Sequence, residues 1–145
     1  GSATGLLEIR AGGSRMPVSA ATVAEGEQYL KMSGQEVFRR AVRAVVNSTT
    51  VTLERAGVDA SDVTWFVPHQ ANVRIIEAAA NRLGIDADHK LVNIERYGNT
   101  SAASIPLALF EAVDDGRVHD DDLVLCTGFG AGMTWATALV RWGAR

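Results

Sequence analysis

The chain has 145 residues, of which 47% are apolar and 21% are charged, and its formal net charge is −3. This balance predicts one domain with a packed core, and the weak negative charge argues against nucleic acid or an anionic membrane as the main partner. A lone cysteine, Cys126, excludes an internal disulfide framework, and no apolar run is long enough to span a bilayer. We therefore expect a protein of the reducing cytoplasm.

Residues 1–30 open without a signal-peptide pattern, and Gly1-Ser2 fit either a tag remnant or native sequence. An apolar patch from Leu6 to Ile9 is followed by sequence rich in Gly, Ser, Pro and Ala up to about Gly26. This composition predicts an edge strand and then a long surface loop. Residues 31–145 are expected to form the domain itself.

A long amphipathic helix is predicted over residues 34–56. Ser33 and Glu36 have the spacing of a capping box at its start, and Gly57 is placed to end it. Apolar residues recur between them at helical spacing, which predicts one buried face.

A short strand is predicted next, over residues 63–67 and ending at Pro68. Its continuous apolar sequence is typical of a strand that is covered on both faces. A helix is predicted from Gln70, with Gly84 at its C-terminal end. Its expected buried face consists of Val73, Ile76, Ala80 and Leu83.

The remaining elements are predicted as a strand over 90–94, a helix over 102–114, a strand over 123–127, a tight glycine loop over 128–132 and a strand over 133–140. Pro106 falls near the start of the second of these, where the missing N–H costs least. The order of elements predicts a mixed α/β layer whose last two strands form an antiparallel hairpin. A strand after the glycines excludes the dinucleotide-binding fingerprint, which needs a helix there.

His69 lies where a strand gives way to a helix, in the segment Pro68-His69-Gln70-Ala71-Asn72. The positive end of a helix dipole next to the ring would favour a neutral imidazole that donates from N–H. The alternative is that His69 only caps the helix.

Asn99 lies in the segment Gly98-Asn99-Thr100-Ser101-Ala102-Ala103-Ser104, and its amide is the one side chain there with both a donor and reach. Its alternative role is an Asx turn or a helix cap. The glycines of the 128–132 loop permit backbone N–H groups to point into a cavity.

Together these segments resemble the β-ketoacyl-acyl-carrier-protein synthase III family. The resemblance rests on four ordered motifs and covers the chain from about residue 6 to its C-terminus. It implies the C-terminal half of a thiolase-like α/β fold, with a mixed sheet covered by helices, and a homodimer. The motifs are Met32-Ser33-Gly34-Gln35-Glu36-Val37-Phe38, Val67-Pro68-His69-Gln70-Ala71-Asn72-Val73-Arg74-Ile75-Ile76, Tyr97-Gly98-Asn99-Thr100-Ser101-Ala102-Ala103-Ser104-Ile105-Pro106 and Gly128-Phe129-Gly130-Ala131-Gly132.

The resemblance implies a decarboxylative condensation of an acyl group, taken from acyl-CoA onto a cysteine, with malonyl-acyl-carrier protein. His69 and Asn99 match the family's two neutral donors to the malonyl thioester oxygen. If one oxygen accepts from both, their side-chain nitrogens should lie roughly 3 to 6 Å apart. Gly130 and Ala131 match the loop of the second oxyanion hole.

The resemblance also implies contacts for the acyl carrier protein and for acyl-CoA, which is a substrate; it implies no cofactor and no metal. The alternative for these residues is solvated helix charges and one buried aromatic side chain. The implied contacts are Phe38, Arg39, Asn72, Arg74 and Phe129.

One departure from the family concerns the nucleophile, a cysteine of the N-terminal half, which precedes this chain in the family. Cys126 lies within a predicted strand, where a thiol is usually inert core. We therefore expect either that the chain is a fragment of a longer enzyme or that another chain supplies the missing half. Two alternatives stay open: a thiolase-fold acyltransferase that acts on another acceptor, and a non-catalytic domain that binds a carrier protein. A serine hydrolase is disfavoured because the G-x-S-x-G elbow is absent.

Overall fold

The computed structural model describes residues 3–143, so the interpretation of Gly1-Ser2 lies outside the described residues. The chain divides into two compact units, one containing residues 3–40 and 130–134 and the other residues 41–129 and 135–143. The helices are α1 (Ala20–Ala24), α2 (Gly34–Ala56), α3 (Val73–Leu83), α4 (Ile94–Tyr97) and α5 (Ser104–Asp114), and the strands are β1 (Leu7–Glu8), β2 (Lys31–Met32), β3 (Trp65–Pro68), β4 (Leu123–Gly130) and β5 (Thr134–Arg141).

The first unit contains a two-stranded antiparallel sheet in which β1 pairs with β2. The predicted strand near residue 6 is therefore present, although only two residues long. The prediction of one continuous loop after it is wrong, because α1 interrupts it. Ser19 begins this helix with a reciprocal cap, in which its hydroxyl accepts from the Thr22 N–H and its own N–H donates to the Thr22 hydroxyl.

Helix α2 has the predicted bounds, and its apolar residues are buried at helical spacing, as at Val37, Ala41 and Val45. The predicted capping box is wrong. The Ser33 N–H donates to the carbonyl oxygen of Leu6 (2.9 Å) instead of to Glu36. The Glu36 carboxylate accepts instead from two arginines of the same helix face, Arg39 and Arg40.

The second unit is built on a three-stranded sheet in the order β3-β4-β5. Strands β3 and β4 run parallel, with Phe66 opposite Leu125, and β5 follows β4 through a three-residue turn. This mixed α/β arrangement agrees with the predicted fold class. The prediction that β3 is covered on both faces is confirmed, since Phe66 and Val67 are both fully buried.

Alternation along these strands separates two cores, because successive side chains of a strand point to opposite faces. Phe66 and Leu125 belong to the core that also contains Val45 of α2 and Ala80 of α3. The other core contains residues of β3, β4 and α5, among them Val67, Val124, Ala108 and Ala112.

Three further regions differ from the predictions, and the first is the segment 90–94. The strand predicted there is wrong, since only Lys90 forms a bridge with Phe66 and α4 begins at Ile94.

The second difference is at the start of α3. This helix begins at Val73, three residues later than predicted, because Asn72 caps it. The predicted burial of Val73 is wrong, since the first turn of the helix leaves its side chain exposed, whereas that of Ile76 and Ala80 is confirmed. The predicted glycine end at Gly84 is confirmed by a left-handed φ of 71°.

The third difference is at the glycines after residue 127, which do not form a loop throughout. Strand β4 continues to Gly130, and only residues 131–133 form the turn before β5. A strand nevertheless follows the glycines, so the exclusion of a dinucleotide-binding fingerprint is confirmed. Within residues 3–143, no helix is long and apolar enough to cross a membrane.

Candidate active site

The backbone of His69 is fixed by the sheet. Its N–H donates to the carbonyl oxygen of Thr127 on β4 (2.8 Å), which extends the parallel ladder one residue beyond β3. Such a bond leaves the residue little freedom, because β3 itself is buried on both faces. The histidine therefore lies at the end of a rigid strand, as predicted from the sequence.

The His69 ring is half-buried, and it makes a hydrogen bond and an aromatic contact in the described part of the chain. Its Nδ1 lies 2.6 Å from the hydroxyl oxygen of Ser104, and the Phe129 ring meets it edge-on at 5.5 Å between centroids. Burial lowers the pKa of His69 below its ordinary value of 6.5, so the ring is neutral at pH 7. Its Nε2 makes no hydrogen bond within residues 3–143.

The neutral state of His69 agrees with the prediction, but the cause is different. The adjacent helix α3 begins four residues later, and Asn72 is its cap. His69 therefore does not cap α3, and the helix begins too far along the chain for its dipole to act on the ring. Desolvation of the ring is the cause of the lowered pKa.

Gln70 is a site residue that sequence reasoning missed. Its side chain is fully buried and satisfies three backbone groups: its amide nitrogen donates to the carbonyl oxygens of Pro68 (2.7 Å) and Leu91 (3.2 Å), and its amide oxygen accepts from the Asn93 N–H (3.1 Å). The Gln70 amide thus makes the hydrogen bonds to residues 91–93 that the backbone of a neighbouring strand would otherwise make. An uncharged polar residue directly after a fully apolar strand was the available signal, since a buried polar group must be satisfied.

Asn99 lies in a strained turn on the surface. Its amide oxygen accepts from the Ser101 N–H (2.9 Å), which is the Asx turn considered as an alternative. Gly98 has φ 65° and ψ −155°, a conformation open essentially to glycine alone, and Ser101 has φ 54°, which is uncommon for a residue with a Cβ.

The Asx turn does not exclude a donor role for Asn99. Because the amide oxygen is held by Ser101, the NH₂ group points the other way, and within the described residues it has no hydrogen-bond partner. The turn therefore orients the donor. The predicted separation of roughly 3 to 6 Å between the His69 and Asn99 nitrogens stays a prediction.

The helix before Asn99, α4, is held by Glu111 of α5. The Glu111 carboxylate accepts from Asn93 Nδ2 (2.8 Å), from the Arg96 guanidinium (2.8 Å) and from the Tyr97 hydroxyl (2.6 Å). The Tyr97 hydrogen bond, followed by that of Asn93, lowers the pKa of Glu111, while the same carboxylate raises the pKa of Tyr97. The sequence offered no signal for this cluster, because its members are up to 18 residues apart.

Four of the predicted site residues belong to the first unit: two lie on α2 and two lie where β4 ends. Phe38 and Arg39 lie near the start of α2; Phe38 is partly buried, while the Arg39 guanidinium is exposed and paired with Glu36. Gly130 ends β4, and Ala131 is the exposed first residue of the turn.

The three remaining contact residues belong to the second unit. Phe129 contacts the His69 ring edge-on. Asn72 is exposed and uses its side-chain oxygen to accept from the Arg74 N–H (2.9 Å), and Arg74 is exposed on the first turn of α3.

Cys126 lies on β4, partly buried, and burial raises the pKa of its thiol. A raised pKa disfavours the thiolate, which is the nucleophilic form, and this supports the interpretation of Cys126 as inert. Within residues 3–143, no three His, Cys, Asp or Glu side chains are grouped so as to hold a metal ion.

Comparison with known families gives a match over residues 53–142 to the family described as 3-oxoacyl-[acyl-carrier-protein (ACP)] synthase III C terminal. A curated relative, the β-ketoacyl-[acyl-carrier-protein] synthase III of Symbiobacterium thermophilum, is 53% identical over 137 residues, which cover 94% of this chain and 42% of the relative. The chain thus spans about two fifths of the length of the curated relatives it matches.

Solved structures give the same result. The β-ketoacyl-[acyl carrier protein] synthase III of Thermus thermophilus superposes with a TM-score of 0.88 at 46% identity, over 100% of this chain and 44% of that one. The priming β-ketosynthase of the R1128 polyketide biosynthetic pathway has a TM-score of 0.78 at 36% identity, over 97% of this chain and 42% of that one. The fold is therefore the C-terminal half of the thiolase-like fold that the resemblance implied.

Proposed function

Because the chain belongs to the 3-oxoacyl-[acyl-carrier-protein] synthase III family, we propose that it supplies the decarboxylation donors of a condensing acyltransferase. The proposed reaction joins an acyl group from acyl-CoA to malonyl-acyl-carrier protein and starts fatty acid synthesis. The nucleophilic cysteine comes from a further half, since Cys126 is a partly buried thiol with a raised pKa.

The observation that carries this proposal is the state of His69: a neutral ring, held through Nδ1, whose Nε2 has no partner within the described residues. A neutral donor suits an oxygen that becomes negative only in the transition state. The oriented NH₂ group of Asn99 is a second donor of the same kind.

The electron balance defines what the two donors do. When the bond between the malonyl carboxylate and its methylene carbon breaks, carbon dioxide leaves and its bonding pair moves onto the thioester oxygen. His69 and Asn99 donate hydrogen bonds to that oxygen. The resulting carbanion equivalent attacks the carbonyl carbon of the acyl-cysteine, and the cysteine thiolate leaves.

The remaining assignments follow from the family. Gly130 and Ala131 provide backbone N–H groups for the oxygen of the acyl-cysteine. Phe129, which lies edge-on to His69, limits the space beside the donors. Phe38, Arg39, Asn72 and Arg74 contact the carrier protein and the CoA entrance; the exposure of Arg39 and Arg74 supports such a role.

We further propose that the complete protein is a cytoplasmic homodimer that binds acyl-CoA and acyl carrier protein and uses no cofactor. The solved R1128 neighbour favours one second candidate, the priming of a polyketide instead of a fatty acid. Acyl-CoA preference and the choice between fatty acid and polyketide carrier proteins distinguish these two roles.

The proposed function is tested with His69→Ala in the complete enzyme, with the half-reactions measured separately. Malonyl decarboxylation and condensation should each fall by about 10²-fold or more, the usual effect of losing one oxyanion donor. Transfer of a radiolabelled acyl group from acyl-CoA to the cysteine should change much less, because that oxygen is bound by backbone N–H groups.

The paired substitution His69→Ala with Asn99→Ala provides an internal control. The combined loss should be smaller than the product of the single losses, because both donors act on one oxygen. If His69→Ala abolished acylation and left malonyl decarboxylation intact, His69 would be the base for the cysteine and the donor assignment would be wrong.

A further inference from the structure

Ser104, the first residue of α5, is a buried polar residue of the second unit. Its side chain is 1% exposed, and its hydroxyl oxygen has two partners. His69 Nδ1 lies 2.6 Å away, and the Gln70 N–H donates to the same oxygen over 3.2 Å. Sequence reasoning placed Ser104 only in the motif that contains Asn99 and gave its side chain no role.

These contacts determine where the serine hydrogen goes. The Gln70 N–H can only donate, so the serine oxygen is an acceptor toward it. The single hydroxyl hydrogen then needs an acceptor, and among the described residues His69 Nδ1 is the one within reach. If Nδ1 carried a hydrogen instead, the serine hydrogen would be buried without a partner, which is unfavourable.

We propose that Ser104 is a positioning residue: it donates to His69 Nδ1 and thereby holds the ring in the tautomer that carries its hydrogen on Nε2. In terms of the proposed function, on which this role rests, that tautomer is the one able to donate to the thioester oxygen. The opposite tautomer would present a lone pair to the developing negative charge.

The same bond also opposes protonation of the ring. An imidazolium needs a hydrogen on both nitrogens, so it would displace the serine hydrogen from its acceptor. This acts in the same direction as burial, which lowers the pKa of His69. The other ring contact, Phe129, is not titratable, and burial is the cause of that shift, with no contribution from a neighbouring charge.

The tautomer is directly measurable by ¹⁵N NMR of the complete enzyme labelled at histidine. His69→Gln identifies the His69 signals by their loss. Long-range ¹H–¹⁵N correlations distinguish a protonated Nε2 from a protonated Nδ1, and we expect the former at pH 7 in the wild-type protein. A protonated Nδ1 would overturn the proposal, whatever the activity of any variant.

Two variants extend the test. Ser104→Ala should produce a measurable population with Nδ1 protonated and reduce kcat for malonyl decarboxylation by about tenfold, less than loss of the donor itself, with KM for the malonyl thioester unchanged. Ser104→Thr keeps the hydroxyl and should restore both the tautomer and kcat. The control Thr49→Val removes a buried hydroxyl that has no partner in the described residues and should change neither.

The results separate this proposal from the proposed function. If Ser104→Ala kept Nε2 fully protonated, the tautomer would have another origin and the role of Ser104 would be wrong. If Ser104→Ala changed the tautomer while His69→Ala left decarboxylation intact, the assignment of Ser104 would stand and the proposed function would fail. Should Ser104→Ala not fold, the tautomer of the wild-type protein still decides.

Discussion

The turns that carry His69 and Asn99 are held by different means. His69 continues a strand that is buried on both faces, and its ring and neighbours bond to core groups of β4 and α5. Gln70, beside it, is fully buried with three hydrogen bonds. His69 is thus held in place by the core of the second unit.

The turn of Asn99 is exposed and is held by its own backbone. Gly98 and Ser101 have positive φ values, and the Asx bond closes the turn within three residues. On its N-terminal side the turn is linked to the rest of the unit through α4, which the carboxylate of Glu111 holds. Substitutions around His69 should therefore change stability and activity together, whereas those around Asn99 should separate the two.

Gln70→Ala should have the largest effect on stability, because it removes the buried hydrogen bonds next to His69. It leaves two carbonyl oxygens and one N–H without partners and opens a cavity, which should lower the free energy of unfolding by about 3 kcal/mol. Chemical denaturation of the complete protein measures this. The exposed Gln35 on α2 provides the control, since Gln35→Ala should stay within about 0.5 kcal/mol of the wild type. A loss below about 1 kcal/mol for Gln70→Ala would contradict the buried network.

Asn99→Asp should separate activity from stability at the other turn. The carboxylate keeps an acceptor for the Ser101 N–H but replaces the donor NH₂ group with a negative charge. Malonyl decarboxylation should fall by about 10²-fold or more, while the free energy of unfolding should change by less than about 0.5 kcal/mol.

Asn99→Ala is the matched comparison, because it removes both the donor and the turn acceptor. It should be less stable than Asn99→Asp and similarly impaired in decarboxylation. An Asn99→Asp enzyme that retained full decarboxylation would remove Asn99 from the pair of donors.

Glu111→Gln should have the smallest effect, and it is best seen through pH. The pKa of Glu111 is lowered in the folded protein, chiefly by the Tyr97 hydroxyl, so its ionised form stabilises the fold above the ordinary pKa near 4.5. That contribution is lost as the pH falls through the lowered folded pKa. The variant should be slightly less stable at pH 7, and the two proteins should converge as the pH drops below about 4.

Urea denaturation between about pH 7 and about pH 3 measures this convergence. Glu95, an exposed carboxylate on α4 itself, provides the control, and Glu95→Gln should parallel the wild type across the range. A stability difference for Glu111→Gln that stayed constant over that whole range would mean that charge is not what anchors α4.

The sequence predicted those parts of the fold that depend on local patterns. The bounds of α2, the buried strand at Phe66 and the glycine end at Gly84 follow from helical spacing, apolar runs and backbone freedom. The motifs around His69 and Asn99 also predicted where in the chain the two turns lie. They did not reveal how the turns are held, because their supports are distant in sequence.

The wrong predictions have the same physical origin. Residues 90–94 have the composition of a strand, but the Gln70 side chain takes the hydrogen bonds that a neighbouring strand would make. The Ser33–Glu36 pair has the spacing of a capping box, but Leu6 and two arginines compete for its groups. In each case a partner that is remote, or outside the motif, prevailed over a local pattern.

Helix α5 contributes one side chain to the support of each turn: Ser104 bonds to His69, and Glu111 bonds to α4 and to Asn93 before it. Ser104 and Glu111 are seven residues apart, so they lie on one face, about 10 Å from each other along the helix axis. A rigid displacement of α5 would therefore carry the partner of His69 and the anchor of α4 in the same direction and by the same amount. We expect thermal excursions of the two turns to be correlated, so that the spacing between the donors varies less than the position of either one.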